Sequence, residues 1–163
     1  MAFGTGNHET TSLMMEAMLE LSFKDKKVLD MGCGTGILAI LASKLGASSI
    51  TAIDIDPWSF NATSENIQIN QTPNVQPILG DAAVLNTDIF DYILANIHKN
   101  VIINDMVKYT SVLRSGGILL CSGFFDKDLE DIRATAASCN LKPAGIRSKN
   151  QWMLAMFNKV DLF

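Results

Sequence analysis

Asp30 and three alternating glycines close an apolar run in Val28-Leu29-Asp30-Met31-Gly32-Cys33-Gly34-Thr35-Gly36. Glycine tolerates the tight turn that leads from a strand into a helix. It also lets the backbone come close to a ligand seated beyond the carboxyl end of that strand. The pattern is that of a cofactor cradle. A dinucleotide site has Gly-x-Gly-x-x-Gly, but the sixth place counted from Gly32 is Ile37 and from Gly34 it is Ala39. The spacing is Gly-x-Gly-x-Gly with an acid in front. Such an acid repels a pyrophosphate and attracts a cation, which suits a sulfonium cofactor carrying an amino-acid tail. Asp54 follows 24 residues after Asp30, in Ile53-Asp54-Ile55-Asp56-Pro57, where a carboxylate can accept from both ribose hydroxyls. Asp81, in Gly80-Asp81-Ala82, is placed to accept from the exocyclic amine of adenine. Asp56 and Asp81 are also ordinary cap and turn residues, so the reading rests on the order of these acids on successive strand ends.

The elements that must hold these residues follow from periodicity. Short apolar strands are expected at Val28–Met31, Ser49–Asp54, Val75–Leu79, Tyr92–Asn96 and Gly117–Ser122. Helical spacing marks a segment capped by Thr10-Thr11-Ser12 and carrying Leu13, Met14, Ala17, Met18 and Leu21. Further helices are expected at Ile37–Leu45, closed by Gly46, from Pro57 to about Asn70, at Asn100–Leu113 and near Lys127–Cys139. Strands alternating with helices predict a mostly parallel sheet covered on both faces. The last two strands, near Lys142–Lys149 and Gln151–Asn158, are joined too tightly for a crossover and must pair antiparallel.

Composition narrows the partners. The chain has 163 residues, 48% of them apolar, enough for one domain with a core that needs no staples. Thirteen Lys and Arg against 17 Asp and Glu give a net charge of −4, without the basic stripe that a nucleic acid requires. A basic or neutral partner suits it better. Cys33, Cys121 and Cys139 lack disulfide or metal spacing and read as thiols of a reducing compartment. His8 and His98 stand far apart, so no metal site is expected. The longest apolar run, Ile37–Ala42, is too short to span a bilayer, and the first residues lack the features of a secretion signal. No membrane association is expected, and the cytoplasm is the default compartment.

These residues resemble the class I S-adenosylmethionine-dependent methyltransferases, whose Rossmann-like seven-stranded α/β sheet also ends in an antiparallel pair. The resemblance sharpens in three segments: Ala2-Phe3-Gly4-Thr5-Gly6-Asn7-His8-Glu9-Thr10-Thr11, the glycine loop, and Ala95-Asn96-Ile97. Together they are similar to the catalytic domain of the ribosomal protein L-eleven (L11) methyltransferases, which modify lysine side chains and α-amines. Carried over motif by motif, that likeness implies S-adenosylmethionine contacts at Thr11, Gly32, Asp54 and Asn96, beside Asp30, Gly34 and Asp81 of the residue reading.

The likeness further implies L11 as substrate, and for the transfer step the Asn96 side-chain carbonyl, with a neighbouring backbone carbonyl, is expected to accept from the acceptor amine. Capping the next helix is the lesser alternative for Asn96. Methyltransferases of this fold that modify nucleobases or glutamine have Asn-Pro-Pro-Tyr or Asp-Pro-Pro-Tyr here, and Ile97-His98 lacks both prolines. Residues 1–163 are expected to correspond to the catalytic domain, without the family's N-terminal recognition domain. Three alternatives stay open: a methyltransferase of small-molecule amines, a nucleoside-binding module without activity, and a nicotinamide oxidoreductase.

Overall fold

Apolar runs of four to six residues separated by glycine and proline set the strands of this protein, and the computed structural model describes residues 8–161. The segment Ala2-Phe3-Gly4-Thr5-Gly6-Asn7 of the first motif lies outside the described residues. Seven strands form one sheet: β1 (Lys27–Met31), β2 (Ser49–Asp54), β3 (Val75–Leu79), β4 (Phe90–Asn96), β5 (Leu113–Phe125), β6 (Leu141–Lys149) and β7 (Trp152–Lys159). Their order is β3-β2-β1-β4-β5-β7-β6. Strands β1 to β5 pair in parallel, and β7 runs antiparallel to both β5 and β6. This is the expected Rossmann-like α/β architecture.

Five helices cover the sheet: α1 (Glu9–Leu19), α2 (Ile37–Lys44), α3 (Pro57–Ile69), α4 (Lys99–Ser111) and α5 (Leu129–Ser138). Alternation along the central strands assigns side chains to two cores. Val28, Leu94 and Leu120 meet Met14 and Met18 of α1 and Ala39 of α2. Leu29, Ile93 and Leu119 meet Ile102 and Met106 of α4 and Ile132 of α5. By the same two-residue period, Asp30 and Asn96 point to the α1 and α2 side of the sheet. The strand order reverses between β1 and β4, which leaves a crevice at the carboxyl ends of β1, β2 and β4.

Several boundaries differ from the sequence expectation, and three of the differences have a clear physical reason. Helix α1 begins two residues earlier than a Thr10 cap allows. His8 is the N-cap, its Nδ1 accepting from the Thr10 amide at 3.2 Å, while Thr10 and Thr11 are buried in the first turn. Strand β5 begins at Leu113, which helical periodicity assigned to the preceding helix. Leu113 pairs with Phe90, and an irregular stretch containing Gly116 and Gly117 separates this pair from the regular ladder that starts at Tyr92 and Ile118. The helix expected from Lys127 instead opens with a 3-10 turn over Asp126–Asp128. Among the described residues, no helix is long and apolar enough to cross a membrane.

Candidate functional site

The loop from Gly32 to Gly36 is built as the glycines require. Gly32, Gly34 and Gly36 have φ of 70°, 57° and 84°, a left-handed region that side chains disfavour. The amides of Gly32 and Cys33 both donate to Ile53 O, at 2.8 and 3.0 Å, which ties the loop to β2. A Cβ on Gly32 would stand 2.2 Å from Ile97 Cγ2, and one on Gly123 would stand 2.3 Å from Ile97 O. Ile97 is therefore gripped from both sides, and its amide donates to Ser122 O at 3.1 Å. The glycines at 32 and 123 fix the position of the segment after β4. Close approach to a ligand is not needed to explain them.

The crevice is a cleft of about 540 Å³, within the range of small-molecule and cofactor sites. Gly32, Gly34, Asp54, Asp81 and Asn96 all line it, so five of the seven sequence-derived residues meet on one surface. Asp54 accepts from the Gly34 amide through Oδ2 at 2.9 Å and from the Asp56 amide through Oδ1 at 3.0 Å. Each carboxylate oxygen keeps a second lone-pair direction for a hydroxyl donor. Asp81 caps the short turn at Ala82–Val84, accepting from the Ala83 amide at 2.8 Å. Asp56 caps α3 by accepting from the Trp58 amide, as its alternative reading foresaw.

Asn96 ends β4 and is 4% exposed. Its Nδ2 donates to Thr11 Oγ1 at 3.4 Å, and its Oδ1 has no hydrogen-bond partner. Asn96 does not act as the side-chain cap of α4, whose N-cap is His98. Thr11 is fully buried and touches the cleft through Asn96 rather than forming its wall.

Asp30 lies beneath the loop, 1% exposed, and is not part of the cleft wall. Burial pushes its carboxyl up to about 8, against a smaller opposing pull from the Ala39 amide and a further push from Asp54. Its Oδ2 is also without a partner. Burial likewise holds the Cys33 and Cys121 thiols at about 12, which makes them packing groups rather than nucleophiles.

Periodicity missed part of the wall. Asp105 and Tyr109 of α4 also line the cleft. Tyr109 falls within the helix expected at Asn100–Leu113, and its ring is buried, but a periodicity argument is blind to the hydroxyl at its tip. Their i, i+4 spacing on one helix face is the signal that was available. A second cavity, about 440 Å³, shares His98 with the cleft and is walled by Phe125, Trp152 and Asp128. The Phe125 and Trp152 rings stack there with centroids 4.1 Å apart. Among the described residues, no group of three or more His, Cys, Asp or Glu is arranged to hold a metal ion.

Residues 1–160 match the family described as ribosomal protein L11 methyltransferase (PrmA). The chain belongs to that family. It is 49% identical over 158 residues to a ribosomal protein L11 methyltransferase of Porphyromonas gingivalis, covering 96% of this chain and 54% of the relative. A Phocaeicola vulgatus relative of the same name is 46% identical, with 96% and 56% covered. The crystal structure of ribosomal protein L11 methylase from Lactobacillus delbrueckii subsp. bulgaricus superposes with a TM-score of 0.90 at 30% identity, covering 96% of this chain and 81% of that one. The chain thus spans about half the length of the curated PrmA relatives it matches. The PrmA membership and this superposition confirm the expected class I methyltransferase fold.

Proposed function

We propose that this chain is the catalytic part of an S-adenosylmethionine-dependent methyltransferase that modifies amino groups of ribosomal protein L11, as the names of its relatives suggest. The observation that carries the reading is Asn96 Oδ1, a buried acceptor without a partner at the wall of the cleft. A folded chain leaves such an atom bare at a cost, which a ligand donor removes. The acceptor set fits the cofactor: the Asp54 carboxylate for a ribose, Asp81 for an amine on a base, and Asn96 Oδ1 for an ammonium or amine. Asp30 adds a buried acid under the loop, whose ionised form a cationic ligand favours. When bound, S-adenosylmethionine supplies an electrophilic methyl group on a sulfonium.

The chain's own task is positioning. A lysine amine, with an ordinary pKa near 10.4, must shed its proton, and burial favours the neutral form. Asn96 Oδ1 accepts a hydrogen from that amine and leaves its lone pair free to be aimed. Thr11 holds the amide from behind, and the grip on Ile97 fixes the backbone next to it. A net charge of −4 suits a basic protein substrate in the cytoplasm.

Label transfer from tritiated S-adenosylmethionine by this chain, offered purified L11 or a pool of small amines, tests the proposal. Label is expected in L11, with a loss of about 100-fold in Asn96→Ala while the variant still melts cooperatively. Label confined to small amines would favour that alternative. Unchanged transfer in the variant would remove Asn96 from its role.

A further inference from the structure

The cleft has a polar end that the transfer step does not use. Helix α4 brings Val101, Asp105 and Tyr109 to one face at successive intervals of four, and all three line the cleft. Across from them stands Asp81, in the loop after β3. Tyr109 is 0% exposed, and its Oη has no hydrogen-bond partner. Asp105 stands beside the hydroxyl and raises the Tyr109 pKa, after the larger effect of burial, without the geometry of a full hydrogen bond. The Asp105 carboxyl is itself raised, first by burial and then by the charge of Asp81, with Lys108 and Tyr109 pulling the other way. Two acids and a tyrosine whose buried hydroxyl is unmet therefore border the same space.

The order of strands says which part of a nucleoside reaches them. Asp54 ends β2, and Asp81 follows β3, the next strand outward. A ligand whose ribose is held at Asp54 extends its base toward Asp81. We infer that Asp105 and Tyr109 complete a base-reading end of the cleft that selects a 6-aminopurine. The inference rests on the proposed cofactor reading and deepens it. An exocyclic amine donates to carboxylate, and an unprotonated ring nitrogen accepts from the Tyr109 hydroxyl. A 6-oxopurine reverses both: it sets a carbonyl oxygen against the acids and a ring N–H against the hydroxyl donor. Selectivity then comes from repulsion as much as from attraction.

Calorimetric titration of this chain with S-adenosylhomocysteine and with its 6-oxo analogue, S-inosylhomocysteine, reads the inference without any transfer step. The wild-type chain is expected to prefer the amino form by about 100-fold or more. Tyr109→Phe is expected to weaken S-adenosylhomocysteine about fivefold, with an unchanged or higher melting temperature because an unpartnered buried hydroxyl has gone. Asp105→Asn is expected to narrow the preference, since an amide can donate to the oxo group. A merely structural Tyr109 would show the opposite split, a lower melting temperature with unchanged affinity. If the wild type binds S-adenosylhomocysteine and both variants keep its affinity and preference, this inference is overturned while the cofactor reading stands. If the wild type binds neither compound, both fall together.

Discussion

Asp30 and Asn96 show two ways in which a buried polar atom can be held at a functional cleft. Asn96 lines the cleft with its Oδ1 buried and unpartnered, whereas Asp30 is sealed beneath the loop with its carboxyl raised to about 8. In the unfolded chain the same carboxyl titrates near 3.8. Between those values the unfolded state gives up the proton first, so the stability that Asp30 contributes is full below about pH 4 and is lost as pH rises toward about 8. The slope cannot exceed about 1.4 kcal/mol per pH unit from this one group. Asp30→Asn is therefore expected to gain stability over the wild type as pH is raised from about 5 to about 7, read by urea denaturation at each pH. A difference that stays flat, or that shrinks with rising pH, would show that Asp30 is ionised in the fold. The motif disclosed that an acid belongs in front of the glycines. Its burial was not legible, because depth beneath a loop depends on α2 closing over it.

The turn after β4 is the element on which the site depends, and close packing fixes it together with the Ile97 amide hydrogen bond. Ile97 meets Gly32 through its side chain and Gly123 through its backbone. That difference separates two substitutions of the same size. Gly32→Ala combines strain at φ of 70° with a contact to Ile97 Cγ2, a cost of about 2–4 kcal/mol. Adding Ile97→Ala removes the offending methyl and should return the overpacking share. Gly123→Ala meets Ile97 O, which no side-chain change removes, so the same second substitution should rescue nothing. Gly116→Ala, at φ of 80° with open space around it, should cost only about 1 kcal/mol. Equal coupling of Ile97→Ala to Gly32→Ala and Gly123→Ala in a double-mutant cycle would contradict this picture.

At the scale of the element, β1 to β4 were readable because their apolar runs end in glycine, acid or amide. The start of β5 was not, since Arg114-Ser115-Gly116-Gly117 breaks the run and Leu113 fits the helical period of α4. Gly123 gave no signal of its own, because its partner lies 26 residues earlier in the chain.

The whole molecule places acids at the ends of β2 and β3, an amide at the end of β4 and a glycine loop at the end of β1, all facing one cleft on the carboxyl edge of the sheet. That convergence was legible from the sequence because each residue follows its strand directly. The base-reading face of α4 was not, because a helix meets the cleft only through the packing of the sheet. A dinucleotide would have to seat a pyrophosphate above Asp30 in a loop that lacks the third glycine of its fingerprint. Equilibrium dialysis of this chain against tritiated S-adenosylmethionine, with and without excess NAD, tests the central claim most directly. The expected result is saturable binding of one molecule per chain that NAD does not displace and that Asp54→Ala weakens by about tenfold or more. Displacement by NAD, or no saturable binding at all, would contradict it.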